Sequence, residues 1–388
     1  MEKDIQNKEH IKGFSQIKVK DLNISNIDVY NNLQKIDLTK ENLSVPKQKI
    51  INKIKKSYEK YSKNLSLEKD EYVLSEFELF ELSKLESKNT VRYLIYRYIY
   101  NLFPRLKIIE DFPPCVQLEP TSKCNFRCIM CYQSDLTFSS KKAGFMGDMN
   151  FDVFKKVIDE IEGNVEAVTF ASRGEPTLNR LLPDFLEYCK GKFLGLKVNT
   201  NASMLNEKMI HGLLSSDLQT LVFSVDSPNP DEYEKIRVKS NFKRLMKNLE
   251  LFHEIKEKNY KDSKQIIRIS GVKMSQSQKV NKMDEQFGKF ANFIGFTNMT
   301  PWMSSYDNEI NDIQDPCTQL WTRLLVRHDG TANPCDYDYK DKLSKFNTKN
   351  LSIKEIWNHK TYMEYRNLHL EGKRKELFPC NRCLSTGK

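Results

Sequence analysis

From residue 113 onward, short apolar runs alternate with stretches whose apolar residues return every three or four positions. The runs at 116–119, 167–170, 194–198, 220–225 and 266–270 predict strands, and 297–303 is read as the last one. The stretches at 151–161, 182–189, 207–214, 242–255 and 283–294 carry the helical period. Strands alternating with helices of this length predict a parallel sheet with right-handed crossovers. About six such units are too few for a closed eight-fold barrel.

Before that point the pattern differs. Residues 1–65 are rich in Lys, Asn, Ile and Glu, and the first forty show no sustained period, as in a loosely held arm. Helical spacing appears at 48–54 and 76–82. Residues 92–103 are the most aromatic stretch, closed by Pro104. A basic aromatic helix can dock on a membrane or on RNA. Its interrupted apolar face reads instead as a helix packed on the main domain. Pro113-Pro114 marks a boundary. The expected organisation is a helical extension over 1–112, an α/β domain over 113–310 and a small domain over 311–388.

No stretch of about 18 apolar residues occurs, so no spanning helix is expected. The charged start, Met1-Glu2-Lys3-Asp4, lacks the apolar core of a signal peptide, so a cytoplasmic location is expected. Nine cysteines, an odd number, argue against a disulfide framework. The net charge of +10 reads as a lysine-rich solvated surface. It permits a phosphorylated substrate and gives little support to nucleic acid.

The chemistry concentrates in Cys124-Asn125-Phe126-Arg127-Cys128-Ile129-Met130-Cys131, just after the first strand. Thiolates suit iron–sulfur clusters. Three of them leave one iron of a four-iron cube open to an outside ligand. Zinc is the competing occupant, although it usually wants a fourth ligand close by. A second group comprises Cys317, Cys335, Cys380 and Cys383. His328-Asp329-Gly330 reads as a hairpin turn that brings Cys317 and Cys335 together. A helix from Ile353 to Arg366 returns the last pair. Four thiolates complete one cluster, and zinc would accept the same set. Cys115 and Cys189 read as small buried hydrophobes.

The C-x3-C-x2-C triplet resembles that of the radical S-adenosylmethionine (SAM) superfamily. Met130 stands where that family often has an aromatic residue, and Tyr132 follows instead. The resemblance implies a partial (β/α)6, TIM-like barrel with its chemistry at the strand C-termini. It also implies a [4Fe–4S] cluster on Cys124, Cys128 and Cys131 whose open iron binds SAM. Arg173-Gly174-Glu175-Pro176 resembles the family's Gly-Gly-Glu-Pro element, with Arg173 replacing the first glycine. Thr200-Asn201-Ala202 resembles a Thr-Asn-Gly strand end, and Ser224-Val225-Asp226-Ser227 a Ser-x-Asp-Ser one. By this likeness Gly174, Glu175, Thr200, Asn201, Ser224 and Arg268 are expected SAM contacts, and Arg237 matches a common helix-proximal arginine. Cys317, Gly330 and Cys335 at C-x12-G-x4-C resemble the SPASM/twitch extension, which binds auxiliary [4Fe–4S] clusters. Four cysteines rather than seven imply one auxiliary cluster.

The expected activity is reductive cleavage of SAM to a 5′-deoxyadenosyl radical. That radical would take a hydrogen atom from a small polar substrate of sugar, nucleotide-sugar or aminocyclitol type, which is then oxidised or epimerised. The auxiliary cluster would accept the electron, and a one-electron reductant such as flavodoxin or ferredoxin would supply the first cluster. A ribosomal-peptide maturase is the alternative enzyme, and an iron–sulfur or zinc scaffold the non-catalytic one. Residues 1–110 lack the short hairpins of a leader-peptide module, which favours a small substrate. The sequence points to no catalytic acid or base; a radical epimerase needs a thiol to return a hydrogen atom, for which Cys115 and Cys189 are nominal candidates.

Overall fold

The computed structural model describes residues 22–38, 41, 43–274, 278, 282–299 and 305–385. Four helices precede the first strand: α1 (Asn26–Lys35), α2 (Val45–Ser62), α3 (Glu76–Ser83) and α4 (Thr90–Leu106). Capping boxes at Ser25 and Ser75 start α1 and α3. Pro104 does not close α4; it lies in the last turn, and the helix stops at Lys107 in the left-handed region. The aromatic face of α4 is buried, with Tyr93, Tyr96 and Tyr98 in a core shared with Cys115, Ala167 and Leu194 at the strand starts. Arg92 clamps Glu166 with two bonds of 2.5 and 2.7 Å. The extension therefore forms a floor under the barrel. Gly195 fits this floor because a Cβ there would lie 2.5 Å from the Tyr96 hydroxyl.

Six parallel strands follow in sequence order: β1 (Cys115–Leu118), β2 (Ala167–Phe170), β3 (Gly195–Thr200), β4 (Thr220–Ser224), β5 (Ile266–Lys273) and β6 (Phe293–Asn298). Each pairs with the next in parallel, and β1 does not pair with β6. The result is the expected partial barrel. After β1 come α5 (Leu136–Ser139) and α6 (Phe151–Ile161), and then α7 (Leu182–Tyr188), α8 (Glu207–Leu214), α9 (Pro230–Ile236), α10 (Phe242–Asn259) and α11 (Met283–Phe287). Alternate strand residues such as Leu196 and Val198 join the helices in the outer core. Phe154 and Phe185 stack there at 4.1 Å.

Two boundaries depart from the sequence pattern. Helix α11 ends at Phe287, and Ile294 already belongs to β6. The short run Phe293–Phe296 carries strand and helix periods equally well, and pairing with β5 decides it. Residues 300–303 of the expected last strand lie outside the described residues.

The C-terminal segment continues the sheet on the free edge of β1. After α12 (Gln319–Thr322), β7 (Leu324–Val326) pairs parallel to β1. Then β8 (Thr331–Asn333) and β9 (Phe346–Asn347) add antiparallel. The expected hairpin turn is present, with Gly330 at φ +89°. Two helices, α13 (Ile353–Trp357) and α14 (Lys360–Leu370), replace the single helix expected from Ile353 onward. Ser352 caps the first and His359 the second, so the chain turns between them.

A buried ionic lattice ties this segment to the barrel mouth. Arg173, after β2, binds Glu119, after β1, through 2.6 and 2.8 Å contacts. Its other nitrogen reaches Asp341 at 2.6 Å. Asp341 accepts from Arg327 at 2.8 Å on its second oxygen. Burial alone would raise the Glu119 carboxyl, yet Arg173 beside it holds it far below the usual carboxylate range. Asp341 has a left-handed backbone at φ +56°, which Asp tolerates better than most residues.

Removing one partner of a buried pair costs about 3–5 kcal/mol. Arg173→Gly, which restores the glycine of the resembled motif, is therefore expected to lower the urea midpoint of the cluster-loaded protein. An unchanged midpoint would mean that this lattice does not anchor the C-terminal segment.

Candidate functional site

The three cysteines of the first group sit on a loop fixed by backbone bonds rather than by regular structure. Arg127 N donates to Val238 O at 2.8 Å and Ile129 N to Ile236 O at 3.0 Å. Amides of Phe126 and Gln133 approach the sulfurs of Cys124 and Cys131 at 3.4 and 3.5 Å. Arg237 stands 4.0 Å from the Cys128 sulfur and forms an ion pair with Asp226 at 2.6 Å. Its role is thus local: it places positive charge beside one thiol. Burial pushes the Cys124 thiol up to about 12 and raises Cys128 and Cys131 as well. Buried thiols so close together become thiolates only when a metal supplies compensating charge. Phe126, Met130 and Ile236 wall the loop on its apolar side.

Four of the expected SAM contacts gather beside this loop. A Cβ on Gly174 would lie 2.1 Å from Thr121 O and 2.5 Å from Lys123 O. The glycine therefore lets the β2 loop press against the cysteine loop. Glu175 is buried, and its two oxygens take donors from Thr177, Thr200 and the Asn201 amide at 2.6–3.1 Å. It splices the ends of β2 and β3 together, with three of its four donors on Oε1 and only the Asn201 amide on Oε2. Asn201 Nδ2 donates to Asn125 inside the cysteine loop at 3.1 Å. Ser224 ends β4, paired with Ser270 of β5. Arg268 is not with them. It pairs with Val222, two residues lower on the strand, and lies 4.9 Å over Phe77 of α3, near Glu81. Its placement on the floor side separates it from the other five.

Cys317, Cys335, Cys380 and Cys383 line one small cavity, together with His369 and Arg374. Burial raises the thiols of Cys317, Cys335 and Cys380. Among the described residues no three His, Cys, Asp or Glu side chains converge as ligands of a single ion. Four thiols around one cavity can hold a cluster. Two buried N–H groups there have no acceptor: Arg374 Nη1 and His369 Nε2. His369 Nδ1 accepts from the Cys317 amide at 3.1 Å, which leaves the ring proton on Nε2. Burial, with Arg374 and Lys107, pushes His369 down to about 4, so the ring is neutral. These donors fit the sulfurs of a cluster. Neither was singled out in the sequence. The signal available was their position between Cys335 and Cys380 on a returning helix.

A second cavity, about 710 Å³ of empty space partly open to solvent, lies between the two cysteine groups. Met130 of the first loop lines it, with Val272, Thr297 and Met299 from the ends of β5 and β6. Gln319, Arg323, Asp336 and Tyr337 complete it from the C-terminal segment. Gln319 and Tyr337 also line the four-cysteine cavity, so one layer of side chains divides the two spaces. Cys115 and Cys189 are both buried in apolar cores, as expected of small hydrophobes.

A family model for the radical SAM superfamily matches residues 118–266, and one for the SPASM iron–sulfur cluster-binding domain matches residues 317–384. A tungsten-containing aldehyde ferredoxin oxidoreductase cofactor-modifying protein of Pyrococcus furiosus is 31% identical over 111 residues, covering 28% of this chain and 30% of the relative. The mycofactocin maturase MftC of Mycolicibacterium smegmatis is 25% identical over 224 residues, covering 56% and 53%. The chain thus spans less than two thirds of either relative. The crystal structure of SuiB from Streptococcus suis superposes with a TM-score of 0.52 at 14% identity, covering 94% of this chain and 92% of that one. At that identity the likeness is one of fold. Among the described residues no helix is long and apolar enough to cross a membrane. The two family matches contain the two cysteine groups just described: the chain belongs to the radical SAM superfamily, carries a C-terminal SPASM domain, and has SAM and [4Fe–4S] clusters, one SAM-binding and the other auxiliary, as its cofactors.

Proposed function

We propose that this enzyme oxidises a small polar substrate held in the cavity between its two cysteine groups. The observation that carries this reading is the pair of residues, Gln319 and Tyr337, common to the substrate cavity and the four-cysteine cavity. With SAM bound, a cluster on Cys124, Cys128 and Cys131 supplies a radical able to take a hydrogen atom from carbon. Met130 puts that loop on one wall of the cavity. Gly174 and the Glu175 network keep the strand ends pressed on the loop, so the reacting partners meet in a fixed geometry. Arg323 and Asp336 orient a polar substrate from the opposite wall. Tyr337 and Gln319 leave only a short gap for an electron leaving the substrate toward the auxiliary centre. Arg374 and His369 aim N–H groups at that centre, and such donors raise a cluster's reduction potential.

Epimerisation is the weaker branch, because the two cysteines outside the ligand groups lie in apolar cores and line neither cavity. A peptide substrate is the other candidate, in keeping with a maturase among the relatives. Among the described residues, however, no strand precedes Cys115, and the described part of the extension is helical.

Three outcomes test this reading. Anaerobically reconstituted, reduced protein should convert SAM to 5′-deoxyadenosine, and Cys128→Ala should abolish it; retained cleavage in that variant would place the SAM site elsewhere. Cys335→Ala should still cleave SAM yet fail to complete substrate oxidation, and intact turnover would remove the electron-acceptor role. His369→Leu should keep both clusters while lowering the midpoint potential of the auxiliary one; an unshifted potential would show that Nε2 makes no bond to it.

A further inference from the structure

The lumen of the open barrel is polar and carries more positive than negative charge. Lys197 and Asn199 face it from β3, because Leu196 and Val198 belong to the outer core. Arg323 enters ahead of β7. Its Nη1 donates to Gln117 of β1 at 2.6 Å, while its Nε is buried with no acceptor. Lys197 makes no hydrogen bond or ion pair among the described residues. The groups around it are Arg268 on β5, Arg323, Cys115 on β1 and Glu81 on α3. Burial, with Arg268 and Arg323 beside it, pushes this ammonium down to about 8. Glu81 does not balance the set: it faces Arg97 at 3.6 Å and accepts from Tyr93 at 2.7 Å. Asp336 attracts Arg323 without pairing to it, and its Oδ1 is buried with no donor. Asn199 Oδ1 is likewise without a partner.

A cation without a counter-ion is costly even in a half-buried lumen, so Lys197 and Arg323 beside a cavity call for a ligand that compensates them. Arg323 lines the cavity reached from the cysteine loop, and Lys197 stands behind it. We infer that the substrate carries an oxyanion, a phosphate or a carboxylate, that enters the lumen and is held by Arg323 with Lys197 beside it. A hydroxyl or amine of the same molecule donates to Asp336 Oδ1 or Asn199 Oδ1. This narrows the small polar substrate to an anionic one, and it rests on the reading of this cavity as the substrate site. A neutral sugar or an uncharged peptide segment would leave both cations unmatched.

The test reads binding rather than turnover, so it can fail or succeed apart from the reading of the reaction. The full-length, cluster-loaded protein is melted in rising inorganic phosphate or acetate, with ionic strength held constant by chloride. A ligand that binds only the folded state raises the midpoint. At least one anion should raise the wild-type midpoint; the one that does identifies a phosphate or a carboxylate. The rise should be lost in Lys197→Met and Arg323→Gln, and kept in Lys289→Gln on the outer surface. Lys197→Met should also melt above wild type in chloride alone, since it removes an uncompensated charge. That second readout decides the matter if Arg323→Gln does not fold. The rise should persist with SAM bound. No rise with either anion, an equal rise in every variant, a Lys197→Met protein less stable than wild type, or loss of the effect on adding SAM would each overturn the inference.

Discussion

Four linked charges, the buried Glu119, Arg173 and Arg327 and the half-buried Asp341, set the spacing of everything else at the barrel mouth. Each lies on a different turn of chain: after β1, after β2, in the loop beyond β8, and after β7. Water is excluded from the buried three, so every member depends on the others for its charge. The lattice seats β7 against β1 and holds the C-terminal segment over the strand ends. Tyr132 stacking on Tyr339 at 4.9 Å ties the cysteine loop to the same segment. A cavity beside the cysteine loop, divided from the four-cysteine cavity by one layer of side chains, is the consequence.

Much of this architecture was legible in the residues. The strand and helix periods after Pro113 predicted the parallel sheet, and the last four cysteines, grouped in the sequence reading, line one cavity. The turn at Gly330 was readable because few other sequences close a hairpin so tightly. What could not be read was set by long-range contact. Arg173 looked like a departure from a glycine motif, and only the approach of Asp341, far along the chain, explains it. Arg268 carried the right charge on the right strand, yet its height on β5 put it on the floor beside Phe77. Glu175 lies beside the cysteine loop as expected, and its bonds to Thr200 and the Asn201 amide, which tie two strand ends together, could not be read from the motif. Short runs near Phe293 were ambiguous in period, and sheet pairing settled them.

The helical extension also has a clear physical role. An open barrel of six strands exposes the lower ends of its strands. The tyrosine-rich α4 and the acidic α3 cover them, burying Cys115, Ala167 and Leu194. Glu78 and Glu81 absorb the charge of Arg97, so the floor is close to neutral while the lumen above it remains basic. The charge of the chamber is therefore set by Lys197 and Arg323 rather than by the lysine-rich surface. The net charge of the chain says little about what it binds; these few enclosed side chains say more.

The central claim is that the two centres differ in one respect: the three-thiol site keeps a coordination position for SAM, and the four-thiol site does not. Electron paramagnetic resonance of the dithionite-reduced protein, recorded before and after SAM is added, tests this directly. The account predicts two overlapping cluster signals of which one alone shifts with SAM. In the protein lacking Cys124, Cys128 and Cys131, the remaining signal should ignore SAM. A SAM response that survives in that variant, or the absence of any response in the wild type, would contradict it.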